Sequence, residues 1–384
     1  MRKVGVIGIG CTKVGEHWAT PLRDLFAEAA LLALDDAGID KIESIYVGNM
    51  LSAHTQKQEH LGALMADNIG MPGVQAIKVE AACGSGGIAV HEGFKAVASG
   101  LVDFVMVGGV EKMTDISTPE ITTALMMAEN REYSAFSGIT FVGLNALCSR
   151  LYMETYEVKA DEMMGFPVND HINAVNNPNA QYPFKITVER AIESAMVADP
   201  IHLYECCGIG DGAAVAILCP LEKAKKINKP VIEVSASATA TNVLNLYERD
   251  DLLDFAATRR AVNQAYSMAN IDKKDVDVLE VHDAFSIVGV LSLEALGFAE
   301  KGVGARFAAE GEIAIDGDIP TNTMGGLKAR GHPIGATGVY QIVELVTQLR
   351  GEAGKNQVKD AEIGLAQNIG GVDSTSIIHV LRRR

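Results

Sequence analysis

The sequence lacks the segments that mark membrane-spanning or secreted proteins. No apolar run within its 384 residues approaches the roughly 20 residues that cross a bilayer. Residues 1–8 lead directly into the pattern of a buried strand, without the small-residue cleavage site of a secretory leader. We therefore expect a soluble, cytoplasmic protein, and its 48% hydrophobic content is enough to bury a large core.

Cysteine spacing typical of structural metal sites is also missing. The six cysteines lie at positions 11, 83, 148, 206, 207 and 219. None of them forms the paired motifs of zinc sites, and adjacent residues such as Cys206 and Cys207 cannot easily chelate one zinc ion or bridge each other. We interpret all six as thiols and predict no metal site.

Positive charge is scarce. The chain has 33 lysine and arginine residues against 49 acidic ones, a formal net charge of −16. This balance argues against nucleic-acid binding, which depends on basic side chains that neutralise phosphates. A polyanionic ligand would need a local basic patch, to which Lys328, Arg330 and the Arg259–Arg260 pair could contribute. The alternative is that each is an ordinary solvated charge.

Buried-strand patterns alternate with helical ones along most of the chain, which predicts an α/β fold with a layered, largely parallel sheet. The alternation stops between about residues 112 and 198, where methionines, tyrosines and an asparagine-rich loop predict an insertion of helices and long loops. The pattern of the first part then returns, which indicates duplicated half-domains. We predict an N-terminal half of residues 1–111 and 199–228, an inserted loop domain of residues 112–198, and a C-terminal half of residues 229–384.

Cys83 lies on a glycine-rich turn between a predicted strand and a helical run from Ile88 to Ser99. At a helix N-terminus, free N–H groups and the helix dipole favour the thiolate, which is the reactive form of cysteine. The neighbouring glycines would let a substrate approach the sulfur and leave N–H groups free to bind an oxyanion. Cys83 is therefore a candidate nucleophile, with a small packing residue as the alternative.

Two histidines are candidate partners of this cysteine. The loop from Gly331 to Gly338 carries His332 and opens a helix much as the turn of Cys83 does, so a pseudo-twofold fold could bring the two turns together. A histidine there would take the thiol proton and activate the nucleophile. His282 follows a predicted strand, where α/β folds usually place their sites, although a structural role is a serious alternative.

The chain resembles the thiolase superfamily over its full length. Five motifs carry the resemblance in the family's order: Cys83 with Gly84–Ser85–Gly86, Asp211–Gly212–Ala213–Ala214, His282–Asp283–Ala284–Phe285, Gly331 to Gly338, and Asn368–Ile369–Gly370–Gly371. The resemblance implies a thiolase fold, in which duplicated half-domains form a five-layered α-β-α-β-α body with an inserted loop domain, usually as a dimer.

The same resemblance implies roles for the motif residues. Cys83 would carry the acyl group and His332 would activate it. His282 and His332 would form an oxyanion hole for the thioester oxygen of a second acyl-CoA. The N–H groups of Cys83 and Gly370 would form another. Coenzyme A thioesters would be substrates, with no further cofactor.

Two positions depart from the family pattern. Many thiolases have a proton-transferring cysteine where this chain has Asn368, and the histidine-first motif, which resembles the sterol-carrier-protein type, often has a cysteine where Ala284 stands. Alignment on the Asp211–Gly212 motif puts Cys207 at a pocket-lining position. We therefore predict that Cys207, or failing it Cys206, moves the α-proton, with His282 as the remaining candidate; packing roles are the alternative for the two cysteines.

Archaeal acetoacetyl-CoA thiolases are the subgroup that the motifs resemble most. The resemblance implies condensation of two acetyl-CoA molecules in the mevalonate route. It also implies association with hydroxymethylglutaryl-CoA synthase through a small zinc-containing OB-fold protein. The alternatives are another CoA-dependent acyltransferase, a degradative thiolase, or a catalytically silent thiolase-like scaffold.

Overall fold

The fold was analysed in a computed structural model that describes residues 1–225 and 229–384. The predicted end of the N-terminal half at residue 228 lies outside the described residues. Among the helices of the described ranges, none is long and apolar enough to cross a bilayer.

Helices and strands alternate in both halves, as the apolar periodicity predicts. The helices are α1 (Leu22–Ala37), α2 (Ser52–Thr55), α3 (Leu61–Asn68), α4 (Ser85–Ser99), α5 (Thr118–Leu125), α6 (Phe141–Tyr156), α7 (Gly165–Ala174), α8 (Val188–Ile192), α9 (Leu221–Ala224), α10 (Ala256–Ala269), α11 (Ser286–Leu296), α12 (Gly304–Ala309) and α13 (Thr337–Arg350). The strands are β1 (Val4–Cys11), β2 (Ser44–Gly48), β3 (Gln75–Val79), β4 (Val105–Glu111), β5 (Met196–Ala198), β6 (Ile201–His202), β7 (Gly212–Pro220), β8 (Ile232–Thr241), β9 (Val278–Glu280), β10 (Ile363–Gly370) and β11 (Thr375–Arg383).

The main sheet is mixed rather than largely parallel. Its strand order is β3-β2-β4-β7-β1-β8-β11-β10-β9 in the described part of the chain. Only β2 with β3, β2 with β4, and β9 with β10 pair in parallel. The expectation of a largely parallel sheet is wrong because β7 and β11 return antiparallel beside β4 and β10.

The two halves repeat the same arrangement. In each, a parallel pair (β2–β4 or β9–β10) is followed by two antiparallel neighbours (β7 and β1, or β11 and β8). Helices α4 and α13 contact strands of both halves. Helices α1 and α3 cover the outer face of the first half and α10 covers that of the second, which confirms the five-layered body.

The residues between β4 and β7 contain α5 to α8 and the short β5–β6 hairpin, in agreement with a helical insertion. Helix α7 packs against α11 and α12 of the second half. The predicted boundary at residue 198 falls inside the hairpin, because β5 ends at Ala198 and pairs with β6. The division into three domains stays a prediction.

Strand β4 lies inside the sheet, between β2 and β7, so neither of its edges is open. The sheet margins are β3 and β9. On β3, the side chain of Ile77 is 54% exposed. An apolar residue on an open edge is a feature that proteins usually cover.

Candidate active site

The turn of Cys83 is held by its own short-range hydrogen bonds. Ala82, directly before the cysteine, has a left-handed φ of 50°, and α4 begins two residues after the cysteine, at Ser85. The Ser85 hydroxyl accepts the N–H of Ala81 at 3.0 Å and donates to the carbonyl of Ala82 at 2.6 Å. The thiol therefore lies at a helix N-terminus, as the sequence predicts.

Cys83, His282 and His332 meet at the centre of the molecule. Each offers one sulfur or ring nitrogen that lies within 4.8 Å of those of the other two. The two imidazole rings pack edge to face, with 4.9 Å between their centroids. Because Cys83 precedes α4 in the first half and His332 precedes α13 in the second, this confirms that the two halves bring their turns together.

A cavity of about 70 Å³ opens onto these three side chains. Its walls are mostly apolar, and Cys207 also lines it. The apolar side chains that line it include Met113, Leu125, Phe141, Phe285, Val288 and Ile334, and Asn145 is a polar residue of the lining.

The two adjacent cysteines have different surroundings. Cys207 lines the cavity, and its N–H donates to the carbonyl of Ala284 at 2.9 Å. Cys206 is not among the cavity-lining residues, and its thiol points to the carbonyl of His202 at 3.6 Å. The chain is extended at Cys206, which directs successive side chains to opposite sides. Of the two predicted proton carriers, the geometry supports Cys207.

The protonation states of the site differ from the sequence-based expectation. Burial raises the pKa of the Cys83 thiol far above its ordinary value, and a neighbouring thiol, Cys207, adds to the effect. Burial also lowers the pKa of His282 to about 3 and that of His332 well below its usual range. These shifts favour a protonated Cys83, because desolvation outweighs the effect of the helix N-terminus on its pKa. At neutral pH the site holds a thiol and two neutral imidazoles.

Contacts that the sequence analysis missed hold the His332 loop. His332 Nδ1 lies 2.6 Å from the hydroxyl of Thr337, which is also 3.2 Å from the carbonyl of Pro333. The buried carboxylate of Glu111, at the end of β4, accepts the N–H of Gly335 at 3.1 Å and that of Met50 at 2.9 Å. A threonine five residues after the histidine is the signal that could have identified the first contact.

Gly370 lies against the turn of Cys83. A side-chain carbon on Gly370 would come within 2.3 Å of the carbonyl oxygen of Ala81, and one on Gly84 would come within 3.3 Å of the Gly370 nitrogen. Only glycine can be accommodated at position 370, where β10 approaches the turn of Cys83. Its proposed role in an oxyanion hole stays a prediction.

Lys328 and Arg330 do not form a basic patch. Both side chains are 0% exposed: Lys328 contacts Asp283 at 2.6 Å, and Arg330 contacts Glu344 at 3.0 Å. Of the other suggested pair, Arg259 contacts Asp254 at 2.5 Å, and the guanidinium of Arg260 donates to the carbonyl of Thr241 at 3.1 Å. The expectation that Lys328 and Arg330 contact a polyanion at the surface is wrong because each neutralises a buried carboxylate.

Two family models together match most of the chain. The model of the thiolase N-terminal domain matches residues 4–222, and the model described as thiolase C-terminal domain-like matches residues 238–383.

Individual proteins show the same similarity. The chain is 47% identical over 385 residues to an acetyl-CoA acetyltransferase of Methanothermobacter thermautotrophicus, with 100% of both chains covered. It is 30% identical to human sterol carrier protein 2, covering 96% of this chain and 70% of that protein. Among solved structures, an Ltp2-ChsH2(DUF35) aldolase has a TM-score of 0.83 at 23% identity, covering 99% of this chain and 98% of that one.

Proposed function

The chain belongs to the thiolase family of acyltransferases, and we propose that it joins two acetyl-CoA molecules into acetoacetyl-CoA with release of CoA. The reaction proceeds through an acetyl thioester on Cys83. The acetyl-CoA acetyltransferase name of the Methanothermobacter relative supports this substrate.

One observation carries the proposal: the Cys83 thiol and two neutral imidazoles converge on a small apolar cavity. The thiol supplies a nucleophile, and an imidazole supplies a base that needs no prior loss of a proton. A volume of about 70 Å³ favours a short acyl group such as acetyl over a long chain. Apolar walls exclude water that would hydrolyse a thioester or quench a carbanion.

In the first half-reaction, the sulfur of Cys83 attacks the carbonyl carbon of acetyl-CoA while His332 takes the thiol proton. The Thr337 hydroxyl donates its hydrogen to the carbonyl of Pro333 and accepts the Nδ1–H of His332, so Nε2 is the free base. The carbon–sulfur bond to CoA then breaks, and the protonated His332 gives its proton to the leaving thiolate.

In the second half-reaction, Cys207 removes the α-proton of the second acetyl-CoA while His332, neutral again, takes the proton of the Cys207 thiol. The carbanion attacks the acetyl group on Cys83, and the Cys83 thiolate leaves and recovers its proton from His332. Burial raises the pKa of Cys207 to about 12, so its thiolate is a strong base once formed. Protons and electrons balance over the cycle, because all three residues return to their starting states.

Acetylation is the first test. Wild-type protein is incubated with acetyl-CoA and its intact mass is measured with time, beside Cys83→Ala and His332→Ala. We expect an acetyl adduct on wild type, none on Cys83→Ala, and acetylation slowed by about 10²–10⁴-fold in His332→Ala, the usual contribution of a general base. An adduct that persists in Cys83→Ala contradicts the nucleophile assignment.

The second test separates the two cysteines next to the site. Cys207→Ala should still form the adduct on Cys83 yet lose acetoacetyl-CoA formation. Cys206→Ala is the matched control, since its thiol points away from the cavity, and it should condense at close to the wild-type rate. If both variants and their double variant condense normally, His282 becomes the candidate base.

The same tests separate the alternative functions. An adduct without acetoacetyl-CoA would indicate another CoA-dependent acyltransferase, and rapid cleavage with negligible condensation would favour a degradative thiolase. The absence of any adduct would indicate a silent scaffold. These alternatives are tested because Asn368 stands where many thiolases have their second cysteine.

We further propose a homodimer that supplies acetoacetyl-CoA to the mevalonate route. The exposed Ile77 on the margin strand β3 supports pairing between subunits. The proposed partners are hydroxymethylglutaryl-CoA synthase and a small zinc-containing OB-fold protein. Light scattering at micromolar concentration should give twice the chain mass, and co-purification of the three proteins would test the assembly. A stable monomer would contradict the dimer.

A further inference from the structure

Asn368 connects the nucleophile turn to His282. Its amide nitrogen lies 3.2 Å from the carbonyl oxygen of Cys83 and 3.1 Å from Nδ1 of His282, and its amide oxygen lies 3.1 Å from the backbone nitrogen of Gly87. The Asn368 side chain is buried within the protein. We propose that Asn368 is a positioning residue that holds His282 in the neutral tautomer with hydrogen on Nε2, which makes His282 a hydrogen-bond donor to the substrate.

Two backbone partners determine which end of the amide is oxygen. The N–H of Gly87 can only donate, so it must face the amide oxygen, and the carbonyl of Cys83 can only accept, so it must face the amide nitrogen. The reverse orientation would set donor against donor and acceptor against acceptor. The NH₂ group of Asn368 is therefore the end that faces His282.

This orientation determines the state of the imidazole. An amide nitrogen only donates, so His282 Nδ1 must accept and cannot carry hydrogen. Burial keeps the ring neutral because it lowers the pKa of His282, and a neutral ring must then carry its hydrogen on Nε2. The backbone is held as well, since the N–H of His282 donates to the side chain of Gln367 at 3.0 Å. Consecutive residues of β10 thus hold the backbone and the ring of His282.

The consequence for the reaction rests on the proposed function. An Nε2–H directed at the thioester oxygen stabilises the enolate that forms when the second acetyl-CoA loses its α-proton. The same hydrogen prevents His282 from acting as the base, because neither of its nitrogens is then free to accept a proton. Where many thiolases have a cysteine, this chain uses an amide to orient the oxyanion donor, which leaves the proton transfer to another residue.

The tautomer can be measured without any assay of activity. The full-length protein, with its nine histidines labelled with ¹⁵N, is studied by long-range ¹H–¹⁵N correlation, and His282→Gln assigns the resonance. We expect hydrogen on Nε2 and an unprotonated, hydrogen-bonded Nδ1. His379 is an internal reference, because its Nε2 lies 3.1 Å from the carbonyl of Gly87 and must carry hydrogen. Hydrogen on Nδ1 of His282 in the wild-type protein would overturn the proposal.

Asn368→Asp tests the cause. Burial raises the pKa of a carboxyl, so the spectrum is recorded at a pH at which this carboxyl is ionised. A carboxylate offers only acceptors, so hydrogen should then lie on Nδ1 of His282; an unprotonated Nδ1 under these conditions would overturn the proposal. Condensation should fall by about 10²–10³-fold, the effect of losing one oxyanion donor, while acetylation of Cys83 falls less. Equal losses in both steps would instead show that Asn368 acts through the turn of Cys83. If wild type formed no acetyl adduct, the proposed function would fail, yet the tautomer would still be decided by the spectrum.

Discussion

Substitution of Gly370 by alanine tests how closely the end of β10 must approach the nucleophile. The added carbon would lie 2.3 Å from the carbonyl oxygen of Ala81, about 1.1 Å closer than the 3.4 Å of an ordinary contact. Gly370 does not have a positive φ, so its backbone conformation suits alanine. The whole effect therefore comes from the approach to the Cys83 turn.

The size of that displacement gives the expected loss. Both groups in the clash are close to the backbone, so the turn or the strand must move by about 1 Å. A misplacement of about 1 Å at reacting groups costs roughly 10²-fold in rate. We expect Gly370→Ala to acetylate Cys83 about 100-fold more slowly and to lose about 1–3 kcal/mol of unfolding free energy, as for other overpacked cores.

Gly364→Ala is a matched control on the same strand. Its added carbon would meet the tip of the Leu345 side chain at 2.8 Å, and that tip can rotate away. In urea denaturation, the loss of unfolding free energy in Gly364→Ala should be no larger than that in Gly370→Ala. Its acetylation rate, followed by rapid quench and intact mass, should stay within about threefold of wild type. The two variants separate a general packing cost from an effect on the nucleophile.

Wild-type acetylation in Gly370→Ala would refute this reasoning, because the turn of Cys83 would then tolerate displacement. A loss of acetylation as large in Gly364→Ala would also refute it, since the effect would follow stability alone. The same experiment bears on the predicted oxyanion hole at the Gly370 N–H, which requires this strand to remain next to the cysteine.

Three further predictions follow from buried polar groups. Thr337→Val removes the acceptor for His332 Nδ1–H and should slow acetylation about tenfold or more, with hydrogen moving between the His332 nitrogens in the ¹⁵N spectrum. Lys328→Met leaves Asp283 buried without its cation and should cost about 3–5 kcal/mol in urea unfolding. Burial lowers the pKa of His379 to about 3, so this residue binds fewer protons in the folded state than in the unfolded state. The unfolding free energy should therefore fall as the pH drops below about 6.5. His379→Gln should reduce the slope of that fall by about 1.4 kcal/mol per pH unit.

The sequence predicts the strands and helices well because apolar periodicity determines which faces are buried. The helical run predicted from Ile88 to Ser99 forms most of α4, which begins three residues earlier at Ser85. The direction of pairing was predicted wrongly. Strands β10 and β11 are joined by only four residues, which is too short for a parallel crossover, so the sequence did contain a signal for an antiparallel hairpin.

Prediction of the site succeeded where a residue's position follows from the fold. The duplicated turns brought Cys83 and His332 together because each opens a central helix of its half. The charge states could not be predicted in this way, since a helix terminus is visible in sequence but the burial around it is not. The amide contacts of Asn368 were also missed, because they join residues separated by more than 280 positions.

The pKa shifts of Cys83 and His332 affect how the first proton transfer of the proposed mechanism proceeds. With the pKa of Cys83 raised and that of His332 lowered by burial, the thiol cannot wait as a thiolate and must lose its proton as it attacks. In the proposed mechanism His332, whose pKa burial lowers, passes that proton to the leaving CoA thiolate and is neutral again for the second half-reaction. The proposed mechanism assigns removal of the α-proton to Cys207, whose thiol lines the cavity, because the hydrogen bond that we propose Asn368 donates to Nδ1 leaves His282 without a free nitrogen to act as base.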